Sequence, residues 1–382
     1  MKRDIFSPDH ELFREQFRRF AEKEIAPRVA QWNERGMSDR ETWRKAGAAG
    51  FLGANQPVEY GGAGGDFLYD AIIMEEMADL RAHAMMISLH SDIVMPYLLH
   101  YGTAEQKRRY VPGAIAGEIL LGIAMTEPGT GSDLANVQTR ARRDGDHYVI
   151  NGAKTFISNG QIGDLFIVVC KTDPDATPVH KGISLILVEA DTPGFVRGRK
   201  LDKLGLRGQD TSELAFEDCR VPLSNVLGVE GRGFIQLMEQ LQQERLTISV
   251  ASIASCRRAL LDTIAYTKER QAFGQPIAQF QNTQFRLAEL ATEVEVGQAF
   301  IDKLLAAHVR GDDIVTEVSM AKWWTTDLQK RLTSQCLQLY GGYGFMLEYP
   351  LAMDYADAAV QSIYAGTNEI MKVIIARRLG LG

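Results

Sequence analysis

The sequence predicts an α+β fold in three successive parts: an N-terminal helical domain, a central antiparallel β-barrel or sandwich, and a C-terminal four-helix bundle. Two changes in the spacing of apolar residues predict this order. Helical spacing covers residues 1–118, short β-branched runs separated by turns fill residues 119–231, and helical spacing returns over residues 232–382. We take these three ranges as the predicted domains.

Four phenylalanines at spacings of seven, four and three form an apolar stripe on the first predicted helix. They are Phe6, Phe13, Phe17 and Phe20. This helix is expected to end near Pro27, because proline disrupts a helix interior. A glycine-rich break over residues 59–65 precedes a second helical run that reaches Leu80.

In the central part, residues 147–150 and 154–158 predict a hairpin that turns at Asn151-Gly152, because Asn-Gly favours tight hairpin turns. Three further runs rich in branched residues predict strands. They are Leu165–Cys170, Ile183–Val188 and Glu213–Phe216. After Gly231, helical periodicity predicts long amphipathic helices over Phe234–Arg270, Gln279–Gly311 and Thr316–Tyr340, then a glycine-rich turn and a last helix over Asn368–Leu379.

Composition narrows the function classes. The net charge of −7 disfavours nucleic acid as a partner, because an acidic protein repels phosphates. No stretch approaches the ~20 apolar residues of a membrane helix, and the N-terminus lacks a signal core, so we expect a cytoplasmic protein without a membrane span. The four cysteines form no CxxC pair and the seven histidines no ligand-spaced cluster, which predicts no metal site.

Four glycine-containing strings are candidates for ligand binding, since glycine lets a backbone approach a ligand closely. They are Met125–Asp133, Lys154–Gly160, Gln338–Phe345 and Ile363–Ile370. Each also has a structural interpretation: a surface turn, a plain strand edge, a helix C-cap at Gly341 and Gly342, and an ordinary N-cap at Thr367.

Glu244 is the most informative single residue. It shares a helical face with Leu237, Leu241, Ile248 and Ala251, so a carboxylate lies on an apolar stripe. Burial there raises its pKa unless a partner compensates. Two interpretations stay open: a buried ion pair with a distant lysine or arginine, or a general base in an apolar cavity.

Together these strings resemble the acyl-CoA dehydrogenase family over essentially the whole chain. Ala124–Asn136 is similar to the first family signature and Gln338–Asp357 to the second. Arg270–Gly274, followed by Gln281, is similar to the segment that reaches a neighbouring subunit's FAD. The resemblance implies the helical, β, helical fold, FAD as cofactor and an acyl-CoA substrate.

The resemblance also implies roles for individual residues. The flavin contacts expected from the β domain are Met125, Thr126, Gly131, Ser132, Phe156, Ile157 and Ser158. The FAD contacts expected from the helices, partly across a dimer, are Arg270, Phe273, Gln281, Gln338, Gly341, Gly342, Thr367, Asn368 and Glu369. The substrate contacts expected are Ser132, Gln242, Gln243, Glu244, Arg245, Ala365 and Gly366.

One departure from the family pattern assigns the base. Most members carry the catalytic glutamate just before Gly366, where this chain has Ala365. A minority, including the long-chain and isovaleryl dehydrogenases, place it on the long helix in a Glu-Arg pair, which here is Glu244-Arg245. The resemblance is therefore closest to the long-chain branch, and Glu244 is the predicted catalytic base.

The predicted activity is α,β-desaturation of a medium- or long-chain acyl-CoA to a trans-2-enoyl-CoA in fatty-acid β-oxidation. The resemblance implies that electrons pass to an electron-transfer flavoprotein and that the chain forms a homotetramer, a dimer of dimers. Alternatives are an isovaleryl-type dehydrogenase, an acyl-CoA oxidase and a non-catalytic CoA-binding scaffold. Small residues near Glu244, namely Ala251, Ser252, Ala254 and Ser255, favour a deep acyl pocket.

Overall fold

A computed structural model describes residues 3–381. It begins with helices, continues with a sheet and ends with helices, which confirms the predicted α+β class. The first helices are α1 (Pro8–Phe20), α2 (Val29–Arg35), α3 (Arg40–Ala48), α4 (Phe67–Asp79), α5 (Met95–Tyr101) and α6 (Ala104–Ile115). The strands of the large sheet are β1 (Leu121–Ala124), β2 (Arg140–Asp144), β3 (His147–Ser158), β4 (Leu165–Lys171), β5 (Ile183–Glu189), β6 (Phe195–Lys200) and β7 (Thr211–Pro222).

The first helical run passes the position where it was expected to end. Ser7 caps α1, and the chain then continues through a π-helical turn into a 3₁₀ turn over Ala26–Arg28 before α2. Pro27 lies in the first turn of this 3₁₀ segment, where its missing N–H breaks no helical hydrogen bond. Phe17 of the predicted stripe is fully buried in the core of this part.

The seven strands form one curled sheet in the order β1-β4-β2-β3-β7-β6, with β5 paired to β4. The sequence predicted antiparallel pairing throughout, but β1 and β2 each pair with β4 in parallel. The chain crosses through β2 and β3 before it returns to lie beside β1, and such a return leaves the two strands parallel. The path of strands is open, so the sheet is not a closed barrel.

The hairpin predicted at Asn151-Gly152 is wrong, because β3 runs through these residues as one continuous strand. The residues lie opposite a β-bulge in β7, where Asp218 adopts a left-handed backbone. The Asn151 side chain donates to Asp218 Oδ1 (3.0 Å) and accepts from the Asp218 N–H (3.0 Å). A Cβ on Gly152 would lie 2.5 Å from Thr139 Oγ1, so close packing explains this glycine.

Long helices complete the fold. They are α7 (Gly233–Glu269), α8 (Gln281–Val309), α9 (Val315–Tyr340), α10 (Pro350–Gln361) and α11 (Asn368–Arg378), and a small hairpin of β8 (Gln271–Ala272) and β9 (Gln275–Pro276) joins α7 to α8. The sequence did not predict α10, which starts at a proline after the glycine-rich turn. Helix α7 packs against α8, α9 and the N-terminal helix α4, so it crosses from one helical part to the other.

A buried ion pair joins the two strings of the sheet that the sequence marks as candidates for ligand binding, Met125–Asp133 and Lys154–Gly160. Lys154 Nζ lies 2.8 Å from Glu127 Oε1 and donates to the Met125 carbonyl (3.0 Å). Glu127 also accepts the backbone N–H groups of Gln138 (2.5 Å) and Thr139 (2.9 Å). Burial opposes ionisation of Glu127, but the Lys154 charge and these hydrogen bonds outweigh it and lower the pKa of Glu127.

Lys154→Met should destabilise the protein by about 3–5 kcal/mol, because it leaves the buried Glu127 carboxylate without its cation. The change is measured as a lower urea midpoint of unfolding. Lys181→Met, at an exposed lysine of the same sheet region, is the control and should stay within about 0.5 kcal/mol of the parent. Equal midpoints for the two variants would refute the proposed contribution of the pair.

Candidate active site

A cavity of about 210 Å³ lies where the N-terminal helices, the sheet and α7 meet. Its walls are mostly apolar, and five of its side chains are methionines. These are Met74, Met77, Met85, Met86 and Met125. Methionine is unbranched and flexible, so such a wall adapts its shape to the ligand.

Glu244 points into this cavity from α7 and is only 4% exposed. The Tyr97 hydroxyl on α5 donates a hydrogen bond to Glu244 Oε1 at 2.8 Å. No lysine, arginine or histidine among residues 3–381 forms an ion pair with Glu244. The interpretation of Glu244 as one half of a buried ion pair is therefore wrong, and a carboxyl group in an apolar cavity is what remains.

Burial raises the pKa of Glu244 to about 7. The hydrogen bond from Tyr97 and the charge of the adjacent Arg245 both act in the opposite direction, but they do not cancel the loss of hydration. A carboxyl group with a pKa near neutrality is suited to accept a proton from a weakly acidic carbon and to release it again.

The flavin contacts predicted on the sheet converge on the same cavity. Met125, Thr126, Phe156, Ile157 and Ser158 all line it. Phe156 is 66% exposed and has a positive φ of 60°, which turns its ring out of the strand. The Thr126 and Ser158 hydroxyls make no hydrogen bond to another described residue, so both are available to a ligand.

The remaining two predicted residues of this string lie elsewhere. Gly131 and Ser132 are exposed in the turn after β1 and are not among the residues that line the cavity. A Cβ on Gly131 would meet nothing within 4 Å, so open space lies beside this turn. The structure therefore places both residues at the surface of the turn, away from Glu244.

The loop before α11 brings Ala365 to the cavity wall. Ala365 and Gly366 both have left-handed backbone, with φ of 50° and 89°. The Gly366 carbonyl accepts a hydrogen bond from the buried Lys322 Nζ (2.7 Å). Thr367 caps α11 through the Ile370 N–H, which confirms the capping prediction.

The prediction that Asn368 contacts the cofactor needs correction. Its side chain is 3% exposed, and its amide donates to the Trp323 carbonyl (3.2 Å) and to Asp327 Oδ1 (2.9 Å). Its Oδ1 accepts from Lys322 Nζ (3.1 Å). These bonds use the side chain to anchor the loop on α9, while the neighbouring Glu369 is exposed.

Gln242 and Gln243 were predicted to contact the substrate, but their amides hold helices together. The Gln242 amide bonds the Asp312 carbonyl and the Ile314 N–H, and the Gln243 amide donates to the Asp92 carbonyl (2.7 Å). Neither side chain lines the cavity. Arg245 is buried beside Glu244, its Nε has no hydrogen-bond partner, and burial lowers its pKa.

A second groove, of about 500 Å³, collects four of the predicted FAD contacts. They are Arg270, Gln338, Gly341 and Gly342. The Arg270 guanidinium lies 5.4 Å from the Tyr343 ring centroid, and a Cβ on either glycine would meet nothing within 4 Å. Phe273, at the tip of the β8–β9 hairpin, is 97% exposed, and Gln281 is exposed at the start of α8.

Three family models match the chain in succession. They describe the N-terminal domain of acyl-CoA dehydrogenase over residues 7–118, the middle domain over residues 122–219 and the C-terminal domain over residues 231–380. The chain belongs to the acyl-CoA dehydrogenase family. It is an FAD-dependent oxidoreductase that acts on CH–CH bonds.

Individual relatives agree with this assignment. The mouse mitochondrial long-chain specific acyl-CoA dehydrogenase is 47% identical over 99% of this chain and 88% of its own length. A crystal structure of an acyl-CoA dehydrogenase from Geobacillus kaustophilus has a TM-score of 0.98 at 51% identity, covering 99% of this chain and 100% of that one. Butyryl-CoA dehydrogenase from Megasphaera elsdenii has a TM-score of 0.92 at 32% identity and covers 98% of each chain.

The residues of the cavity fit FAD. A flavin needs an aromatic or apolar surface for its ring and hydrogen-bonding groups for its edge. Phe156 and Met125 supply the surface, and the hydroxyls of Thr126 and Ser158 supply the hydrogen-bonding groups.

In the described part of the chain, no helix is both long and apolar enough to cross a membrane.

Several residues in or beside the cavity were not predicted from the sequence. Tyr97, which bonds Glu244, lies 147 residues earlier in the chain. His83, Leu206 and Tyr364 line the cavity. Of these three, only Tyr364 lies in a string that the sequence indicated, Ile363–Ile370. Packing between distant segments brings them together: α5 contacts α7, and Leu206 donates its backbone N–H to Asp357 on α10.

Glu244→Gln should stabilise the fold at pH 8 by up to about 3 kcal/mol, and the gain should vanish below about pH 4. The folded state keeps a proton on Glu244 up to about pH 7, whereas an unburied glutamate releases it near 4.5. Between these values rising pH therefore destabilises the parent, and glutamine removes that cost. Thermal unfolding against pH measures it. Glu269→Gln, exposed on the same helix, is the control and should show no such trend.

Proposed function

We propose that the chain desaturates medium- or long-chain acyl-CoA thioesters between the α and β carbons, giving trans-2-enoyl-CoA in fatty-acid β-oxidation. One observation carries the proposal: Glu244, with a pKa raised to about 7, lines the same cavity as the residues expected to hold the flavin. A buried base and a site for a hydride acceptor are the two requirements of this reaction.

In the proposed mechanism, Glu244 removes the pro-R α-proton. The backbone N–H of Ala365 donates to the thioester carbonyl, which increases the acidity of the α-carbon. Met125, Thr126, Phe156 and Ser158 would hold the flavin of FAD, which would supply the acceptor for the β-hydride. The apolar walls exclude water, so the carboxylate is poorly hydrated and remains basic. Alanine at position 365 is compatible with this role, because a backbone N–H needs no particular side chain.

The length of the acyl chain is inferred from the cavity and from one relative. Of the small residues predicted to form a deep pocket, only Ala251 lines it. The flexible methionines on α4 and in residues 85–86 supply the apolar surface that an extended chain needs. The mouse long-chain enzyme supports a long substrate, whereas the Megasphaera enzyme shows that the same fold also serves a butyryl group.

We propose further that the second groove holds the adenine and pyrophosphate part of FAD from a neighbouring subunit, in a homotetramer built as a dimer of dimers. Its two open glycines allow close approach of a phosphate, and Arg270 provides a positive charge. Phe273 and Phe345 beside it are exposed aromatic side chains that a neighbouring subunit would cover. The electron acceptor that we propose is an electron-transfer flavoprotein, as in the family.

Glu244→Gln should lower the rate of anaerobic FAD bleaching by acyl-CoA at least about 100-fold, because a positioned base contributes this much or more. The variant should keep its yellow colour and bind acyl-CoA, since glutamine has almost the same shape. Stopped-flow absorbance with straight and branched acyl-CoAs measures both the rate and the preferred chain. Undiminished bleaching would show that the base lies elsewhere, and a colourless parent protein would favour a scaffold.

The double variant Glu244→Gly with Ala365→Glu should recover part of the lost activity, because both positions line one cavity. Recovery is measured against Glu244→Gly alone. Glu244→Gly with Ser362→Glu, a change three residues earlier and outside the cavity lining, is the matched control and should recover nothing. Equal rates for the two double variants would contradict the shared geometry.

A further inference from the structure

Tyr97 is buried at 0% exposure on α5, and its hydroxyl is the sole hydrogen-bond donor to Glu244 among the described residues. The bond occupies Oε1 at 2.8 Å. Oε2 has no partner in the described part of the chain and is not sealed from the cavity that Glu244 lines. The two carboxylate oxygens are therefore not equivalent.

We propose that Tyr97 is a positioning residue for the base: it fixes Glu244 through Oε1 and leaves Oε2 as the oxygen that accepts the α-proton. The inference rests on the proposed function and deepens it. Tyr97 lies outside all the strings that resemble the family, so the resemblance assigns it no role. Its effect on the reaction passes through Glu244 and not through contact with the substrate.

Tyr97 is suited to a fixed orientation. It belongs to the core under the sheet, and α5 starts with Met95-Pro96, which sets the backbone one residue before it. Burial, and to a smaller extent the charge of Glu244, raises the pKa of Tyr97 well above 10. The hydroxyl therefore keeps its proton at any working pH. It therefore always donates, and a hydrogen bond donated to the ionised carboxylate favours that form.

Other charged or titratable groups face Glu244 from each side. Arg245 is adjacent on α7 and lowers the pKa of Glu244 through its charge, and His83 and Tyr364 line the cavity from two other segments. Lys322 on α9 lies behind Arg245 and donates to Gly366. None of these groups donates a hydrogen bond to Glu244, so a variant at Tyr97 changes one contact alone.

The decisive test is the titration of Glu244 in the holoenzyme without substrate. The infrared carboxyl band that Glu244→Gln removes identifies the residue, and its intensity is followed against pH. Tyr97→Phe should shift the midpoint upward by about one pH unit, because the ionised form loses its donor. Tyr101→Phe is the matched control: it lies on the same helix, but its hydroxyl donates to Glu239 (2.6 Å), so the midpoint should not move.

Kinetics provide the second readout. In Tyr97→Phe, the acid limb of the pH profile of FAD bleaching should move upward by the same amount, giving about a tenfold slower rate at pH 6. Acyl-CoA affinity should not change, because Tyr97 does not line the cavity. At a pH above the Glu244 midpoints of both parent and variant, any remaining loss of bleaching rate measures misorientation of the carboxylate.

Site-specific 3-fluorotyrosine at position 97 keeps the shape and strengthens the donor, so it should shift the midpoint downward, and it decides the matter if Tyr97→Phe does not fold. Unchanged midpoints in both variants would overturn the proposal, even if Glu244→Gln abolishes bleaching as expected. The converse outcome is that Tyr97→Phe shifts the Glu244 midpoint although no acyl-CoA bleaches the FAD of the parent. That result would contradict the proposed function but support the contact between Tyr97 and Glu244.

Discussion

The burial of one carboxyl group on the apolar face of α7 is the constraint on which the site depends. An ionised carboxylate without hydration is costly, and neither the single hydrogen bond from Tyr97 nor the charge of Arg245 offsets the cost. The result is a group that gains and loses a proton near neutral pH. Burial of Glu244 thus lowers the stability of the fold above the pKa of this group, which is a cost expected where a carboxylate is kept for function.

The cavity around this group is a product of all three parts of the fold. Helix α4, the segment before α5, strands β1 and β3, and α7 each supply part of the wall, and the buried Lys154–Glu127 pair ties the two sheet segments that are expected to contact the flavin. Three residues of the wall, Phe156, Leu206 and Ala365, have left-handed backbone without being glycine. Such conformations cost about 1–3 kcal/mol each, and their accumulation here indicates that the surroundings hold side chains in set directions.

The proposed position of the base, Glu244 on α7, differs from the loop position that the sequence resemblance gives for most of the family. With alanine at position 365, the contribution that we propose for the loop before α11 is its backbone N–H, and contacts of Lys322 with Gly366 and Asn368 hold this loop in place. A carboxylate three turns into a 37-residue helix has a rigid support, whereas a carboxylate on a loop depends on the loop. Tyr97 adds a second support from α5, so the carboxylate is restrained from two helices.

Local patterns in the sequence determined the class of fold, the limits of the long helices and the identity of Glu244 as a buried carboxylate, because helical periodicity and capping are short-range properties. They failed at Asn151-Gly152, where a bulge in a distant strand overrides the turn preference. The side-chain partners of Gln242, Gln243 and Asn368 lie on other elements, so no local pattern indicated them. Only the tertiary structure decided that Tyr97 meets Glu244 and that Ala365 shares its cavity. Contacts between residues more than a hundred positions apart depend on how the elements pack, and no pattern within one element records that.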